Sequence, residues 1–420
     1  MKESQLPKNE FVREQIKNKP KNKKRLCVKL GVSALCGLVF ALAACGVVLL
    51  MLPIIERQWK PAEEVKETQG TEYEPVTQNT EDPVSTEEQT VVEVPKEMTL
   101  GDYQRLQNEL YAIGTKANKS IVSITSVVSD TDWFNNSYER EGQGSGAIID
   151  ETTDAYLILT ERKVIKDASK ISVTFIDDAS APAELIRYDG NTGIAILSVK
   201  KADLEDDTRK NIAVIGMGSS NTVHKGTIVI ALGSPLGTNY SILTGNITAT
   251  SNEISTWDSN YSVFTTDIVA SRSGSGILIN VDGELVGVVM QDYSTASTNT
   301  LTALAVSELR PVIDILFEDQ PVPYLGLHVS TVTDKIAETY DLPKGVYIKE
   351  VAMDSPAMNA GLQSGDVIIA IAGTDVATDS AYSTAVLGLR EEETYPVVIM
   401  RQGSDGYKKL TCEVEPGVLQ

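Results

Sequence analysis

Between Ile121 and Ala305 the chain is cut into short β-prone runs, and nothing else in it limits the fold as tightly. The expected strands are Ile121–Val128, Gly146–Ile149, Tyr156–Thr160, Lys170–Phe175, Pro182–Tyr188, Ile194–Ser198, Thr227–Ala231 and Ser241–Thr248, then Val263–Thr266, Ile277–Asn280, Leu285–Gln291 and Leu301–Ala305. Glycine, serine, asparagine and aspartate punctuate the gaps, as turns require. Strands this short and this regularly spaced predict barrels or sandwiches, so the fold class is mostly β. One helix is expected before them, Tyr103–Lys116, where Leu106, Leu110 and Ile113 recur at helical spacing, and one behind them, Val306–Phe317. Pro321-Val322-Pro323 then marks a boundary. Beyond it a compact unit of about 90 residues holds a helix near Tyr382–Arg390, strands at Thr394–Arg401 and Leu410–Val414, and a glycine turn at Gly365-Asp366 entering a strand.

The N-terminal hundred residues follow different rules. Leu30 to Ile55 contains no charged residue, long enough to span a bilayer as a helix. Residues 1–29 carry ten basic side chains against Glu3, Glu10 and Glu14, a net of +7, so the remainder holds −28 of a chain whose formal charge is −21. Basic residues before the span, with Glu56, Glu63 and Glu64 after it, predict a cytoplasmic N-terminus and an extracytoplasmic body in a single-pass cell-membrane protein. A cleaved signal peptide fits less well, because the apolar run exceeds an ordinary signal core. Leu42-Ala43-Ala44-Cys45 resembles a lipidation motif, but Gly46 to Ile55 stays apolar beyond it. Arg57 to Leu100 is rich in Glu, Thr, Pro and Gln, a composition that reads as a disordered acidic stalk. An acidic body excludes nucleic acid as a partner. Two histidines, His224 and His328, and a single cysteine outside the apolar end, Cys412, leave no basis for a metal site, a cofactor or an internal disulfide framework.

The chemistry-bearing stretch is Thr266 to Asn280. A β-prone segment enters a loop of Ser271, Arg272, Ser273, Gly274, Ser275 and Gly276, and an apolar strand leaves it. Small residues at such a junction let backbone N–H groups converge, as an oxyanion site requires. A serine there becomes nucleophilic only if a base takes its proton.

Several stretches, in this order, resemble the HtrA (Deg) family: Gly144-Ser145-Gly146-Ala147-Ile148-Ile149, Ile194-Ala195-Ile196-Leu197, Ala231-Leu232-Gly233-Ser234-Pro235-Leu236-Gly237, Thr266-Asp267 and Gly283-Glu284-Leu285-Val286-Gly287-Val288, then Tyr324-Leu325-Gly326-Leu327 and Ala360-Gly361-Leu362. The resemblance covers roughly Tyr103 to Pro416. It implies a trypsin/chymotrypsin-like double β-barrel followed by a PDZ domain, and a homotrimer formed through the protease domain. The units are then a basic tail (1–29), a transmembrane helix (30–55), an acidic disordered linker (56–100), the protease-fold domain (101–320) and the PDZ domain (321–417).

The catalytic positions depart from the family pattern. Lys163, in Leu159-Thr160-Glu161-Arg162-Lys163-Val164, stands where the family has its histidine, and Gly193 stands at the aspartate position. Counted backward from Asn280, Gly274 takes the nucleophile position; counted forward from Thr266-Asp267, Ser275 takes it, with Ser273 nearby. His224 reads as an exposed turn residue. The resemblance thus implies a pseudoprotease, with no catalytic residue assigned. The alternative is an active envelope serine endopeptidase of protein quality control that uses Lys163 as a rearranged base. Tyr324, Leu325, Gly326 and Leu327 would bind the C-terminal carboxylate of a peptide or unfolded protein, with Leu325, Leu327, Ala385 and Leu389 lining an apolar pocket. Those same residues would otherwise be core around a closed groove.

Overall fold

The computed structural model describes residues 98–131, 137–294 and 299–419. The basic tail, the apolar run and nearly all of the acidic linker lie outside them; among the described residues no helix is long and apolar enough to cross a membrane. The described residues belong to one compact unit.

It opens with helix α1 (Leu100–Ala117), which starts three residues earlier than its apolar spacing predicts. Thr99 and Asp102 form a reciprocal capping box that satisfies the first orphan N–H groups. The buried face is Leu110, Gly114 and Ala117, whereas Leu106 is exposed, a correction to the expected stripe. Gly114 lets the helix sit close against Ile242.

Six strands then close the first barrel: β1 (Ile121–Thr131), β2 (Ser137–Glu151), β3 (Ala155–Glu161), β4 (Lys170–Thr174), β5 (Ser180–Tyr188) and β6 (Ile194–Lys200), in the order β1-β2-β3-β6-β5-β4. A one-turn helix, α2 (Arg162–Ile165), follows β3, and α3 (Asp206–Asn211) leads away from β6. The second barrel comprises β7 (Ile228–Ser234), β8 (Ser241–Thr256), β9 (Ser259–Val269), β10 (Ser275–Ile279), β11 (Leu285–Met290) and β12 (Thr300–Ala305), closed as β10-β11-β12-β9-β8-β7.

Strand alternation divides the side chains between two destinations. Val122, Ile148, Ile158 and Leu197 fill the first barrel, and Val229, Leu278, Val286 and Ala303 fill the second. Their neighbours Ile121, Ala147, Leu159, Ile196, Ile230 and Ile277 point between the barrels and form one larger cluster with Leu309 and Ile313 of α4 (Val306–Phe317).

The C-terminal part is built from β13 (Pro323–Tyr324), β14 (Leu327–Thr331), α5 (Asp334–Tyr340), β15 (Val346–Val351), α6 (Pro356–Asn359), β16 (Val367–Ile371), β17 (Thr374–Asp375), α7 (Asp379–Leu387), β18 (Tyr395–Gly403), β19 (Gly406–Val414) and β20 (Gly417–Val418). Its main sheet runs β14-β15-β16-β18-β19, which leaves β14 at an edge, and β13 pairs with β20. Helix α7 starts and ends three residues before the range expected from sequence, because the Thr378 hydroxyl caps its N-terminus and Gly388 closes it. Asp366, buried at the entrance to β16, receives Nε and Nη2 of Arg401 at 2.7 and 2.6 Å, a bidentate pair that ties the Gly365 turn to β18.

The largest departure is the β8–β9 hairpin. Sequence predicts strands that stop at Thr248 and resume at Val263, but the pairing continues to Thr256 and Ser259 around a two-residue turn, Trp257-Asp258. Asp258 adopts φ +61°, which aspartate tolerates. The hairpin therefore overshoots the barrel and reaches the C-terminal part.

Candidate functional site

Three places carry the expected site residues. The first lies where β3 runs into α2. Arg162 N–H donates to the Gly193 carbonyl at 2.7 Å, so the loop before β6 and the start of α2 are locked together. Lys163 and Gly193 thereby share one open pocket of about 210 Å³, with Glu161, Met290, Asp292 and Tyr293 on its walls. Lys163 Nζ lies 2.7 Å from Glu161 Oε2 and 3.4 Å from Asp292 Oδ2. Two carboxylates engage the ammonium, the opposite of the desolvated, unpaired setting in which lysine serves as a base. The Arg162 guanidinium stacks instead over the Tyr188 ring, 3.9 Å from its centre.

Glu161 is 3% exposed, and Oε1 has no hydrogen-bond partner among the described residues. Burial pushes its carboxyl up to about 7, and the Lys163 charge pulls against that shift. The pocket therefore holds a group that titrates near neutrality, but it holds no serine. Thr192, its one lining hydroxyl on an aliphatic carbon, donates to Asp189 Oδ2 at 2.6 Å. Tyr293 donates to the Thr192 carbonyl at 2.8 Å. No group of three or more His, Cys, Asp or Glu among the described residues could hold a metal ion.

The serine-rich loop is closed on itself. Ser275 is the first residue of β10, paired across to Ser234 and Met290, and only 1% exposed. Its Oγ accepts the Ser145 N–H at 2.9 Å, which joins the two barrels. Ser273 is exposed, and its hydroxyl lies 3.3 Å from that of Ser271. At Gly274 the expectation of a free backbone donor meets a different outcome: its N–H donates to the Ser271 carbonyl at 3.0 Å, while Ser271 N–H donates to the Pro235 carbonyl at 2.8 Å. A Cβ at position 274 would lie 2.5 Å from the Pro235 oxygen, so no side chain fits there unless the backbone shifts. Neither histidine is a partner of these serines. His224 is exposed, and His328 contacts Ser255 Oγ at 3.2 Å and packs against Trp257, ring centres 3.9 Å apart.

The third place is the loop Tyr324-Leu325-Gly326-Leu327. Gly326 has φ +89°, and a Cβ there would strike Ser355 and Tyr324, so only glycine gives this turn its shape. The turn aims the backbone N–H groups of Leu325, Gly326 and Leu327 at one point, and a carboxylate sits on it: Asp258 accepts from all three, at 2.7, 2.8 and 3.1 Å. Tyr382 adds its hydroxyl at 2.6 Å. The side chains of Leu325, Leu327 and Leu389 belong to the hydrophobic core, and Ala385 packs against it. Burial pushes the Asp258 carboxyl up, and the hydrogen bonds from Gly326, Tyr382, Leu325 and Leu327 oppose it. Sequence reading missed Asp258 and Asp292; both lie in segments that resemble ordinary polar turns.

Double barrel, edge strand and glycine loop give this chain a specific set of relatives. The trypsin-like peptidase domain family matches residues 144–288, and the PDZ domain family matches residues 323–415. The "Probable periplasmic serine endoprotease DegP-like" of Marinomonas sp. is 31% identical over 286 residues, 66% of this chain and 58% of that protein. The chain belongs to the HtrA family. The "Serine protease Do-like HtrA" of Bacillus subtilis is 29% identical over 299 residues, 65% of this HtrA-family chain and 64% of that relative. The chain thus spans about three fifths of the length of these curated relatives. Among solved structures, the HtrA-type protease AlgW with a decapeptide superposes with a TM-score of 0.53 at 23% identity, covering 73% of this chain and 98% of that one. The same protease with a tripeptide gives 0.52 at 24%, over 73% and 96%. At that identity the likeness concerns the HtrA fold alone.

Proposed function

We propose that this HtrA-family protein is a pseudoprotease: a non-catalytic module that binds peptides or unfolded-protein C-termini through its PDZ domain at the cell envelope. Residues 30–55 would tether it to the membrane with the folded body outside. The observation that carries the reading is the closed loop at Gly274. Of the two positions that align with the nucleophile, Gly274 has no side chain, has no room for one beneath the Pro235 carbonyl, and spends its N–H on Ser271, while Ser275 is buried with its Oγ accepting the Ser145 N–H. Lys163, the residue at the base position, is held between Glu161 and Asp292. A triad without its histidine and aspartate retains only the catalysis supplied by binding and oxyanion donors, and here the loop donor is spent as well. Peptide binding is supported by the PDZ fold, by the three converging N–H groups of the Leu325–Leu327 loop and by the decapeptide and tripeptide held by the related AlgW structures. A homotrimer formed through the protease-fold domain remains part of the proposal, and light scattering of the full chain tests it.

Incubating the full-length chain with unfolded casein tests the catalytic half of this reading. The expected outcome is no cleavage above buffer for the wild type or for Lys163→Ala. Cleavage by the wild type would defeat the reading, and cleavage that disappears in Lys163→Ala would establish the rearranged-base protease instead.

A further inference from the structure

The tip of the β8–β9 hairpin packs into the groove of the PDZ domain of the same chain. A peptide that docks in such a groove needs two things: N–H donors for its terminal carboxylate, and an edge strand along which its backbone can pair. Both are engaged by the β8–β9 hairpin. The Asp258 carboxylate takes the N–H groups of Leu325, Gly326 and Leu327, and the Asp258 N–H donates to the Leu327 carbonyl, at the start of edge strand β14, at 2.7 Å. From the opposite wall, α7, Tyr382 donates to Asp258 Oδ1 and Ser383 Oγ donates to the Asp258 carbonyl at 2.7 Å. The hairpin tip therefore lies between β14 and α7, with Asp258 only 4% exposed.

We infer that Asp258 is a resident mimic of a C-terminal carboxylate, and that peptides enter the PDZ groove only when the β8–β9 hairpin withdraws. This deepens the reading of the PDZ domain as a peptide-binding module, and rests on it. Two carboxylates cannot share the site. Each of the three loop amides has one hydrogen, all three are spent, and a second buried negative charge beside the first would be repelled. The outer contacts of the hairpin suit release. Asn260 donates to Asp379 Oδ2 at 2.8 Å and Ser255 meets His328, polar contacts at partly exposed positions that water can replace. With the groove open for only a fraction of the time, the apparent affinity for a peptide falls by that fraction.

The test is a fluorescence-anisotropy titration of the full-length chain with a fluorescein-labelled decapeptide ending in a free-acid valine, alongside its C-terminal amide. Asp258→Ala is expected to bind the free acid at least about tenfold more tightly than the wild type, and amidation is expected to abolish the gain. Asn260→Ala keeps Asp258 and the three loop bonds while loosening the hairpin. Its expected gain of about threefold keeps the proposal testable if Asp258→Ala fails to fold. Equal affinity of wild type, Asp258→Ala and Asn260→Ala for the free acid would overturn the self-ligand while leaving peptide binding in place. Absence of binding in the folded variants as well would overturn both. Binding of acid and amide alike by Asp258→Ala would show that the vacated site does not select a carboxylate, and would overturn the mimicry.

Discussion

Tyr382, on the PDZ helix α7, donates its hydroxyl to Asp258, at the tip of the barrel hairpin, at 2.6 Å, and both residues are buried. The bond joins residues 124 positions apart and couples the packing of the PDZ domain to that of the second barrel. A hydrogen bond to a buried charged group contributes about 1.5–3 kcal/mol. Tyr382→Phe, which keeps the ring and removes only the donor, is expected to lower stability by about that amount in a denaturant titration. Combined with Asp258→Asn, the two losses are expected to fall short of their sum by at least about 1 kcal/mol. Strict additivity would contradict the coupling.

Glu161 supplies a pH prediction. Its carboxyl is raised from the ordinary 4.5 to about 7, chiefly by burial. Between those values the folded chain binds the proton more tightly than the unfolded chain, so stability falls as pH rises from 4.5 to 7. The full difference is about 3 kcal/mol above pH 7. Glu161→Gln removes the ionisation and keeps the shape. Thermal unfolding at pH 5 and pH 8 is expected to show a larger loss in the wild type than in the variant; parallel profiles would contradict the buried acid.

Placing a serine at Gly274, one of the two positions that align with the nucleophile, is expected to fail. The Cβ of Gly274→Ser would lie 2.5 Å from the Pro235 oxygen and 3.0 Å from the Ser271 oxygen, both of them backbone atoms. Overpacking of this kind costs about 1–3 kcal/mol. Differential scanning calorimetry is expected to show a lower melting temperature, with no ester hydrolysis gained. An unchanged melting temperature would mean that the loop has room the structure does not give it.

Much of the fold was legible because alternation along each strand serves two apolar destinations, barrel interior and barrel interface, which keeps runs such as Ile194–Lys200 almost wholly hydrophobic. The outer half of the β8–β9 hairpin was not legible for the converse reason. Ser251 to Ser262 is dominated by serine, asparagine and acidic residues, because one face meets solvent and the tip meets polar groups of another domain. At the Lys163 pocket, Lys163 beside Glu161 could be read from adjacency, but Asp292 is far away in sequence and joins them only through the fold. The resemblance implied a carboxylate-binding loop at Tyr324–Leu327, yet no local signal could name Asp258, which reaches that loop from 67 residues upstream of Leu325.

Intact-mass measurement of the full-length chain after exposure to a fluorophosphonate tests the absence of a serine nucleophile most directly, since the reagent needs only an activated hydroxyl and no matching substrate. The mass is expected to stay unchanged. A single stoichiometric adduct on Ser271, Ser273 or Ser275, lost in Lys163→Ala, would contradict the pseudoprotease reading and establish a working nucleophile in this loop.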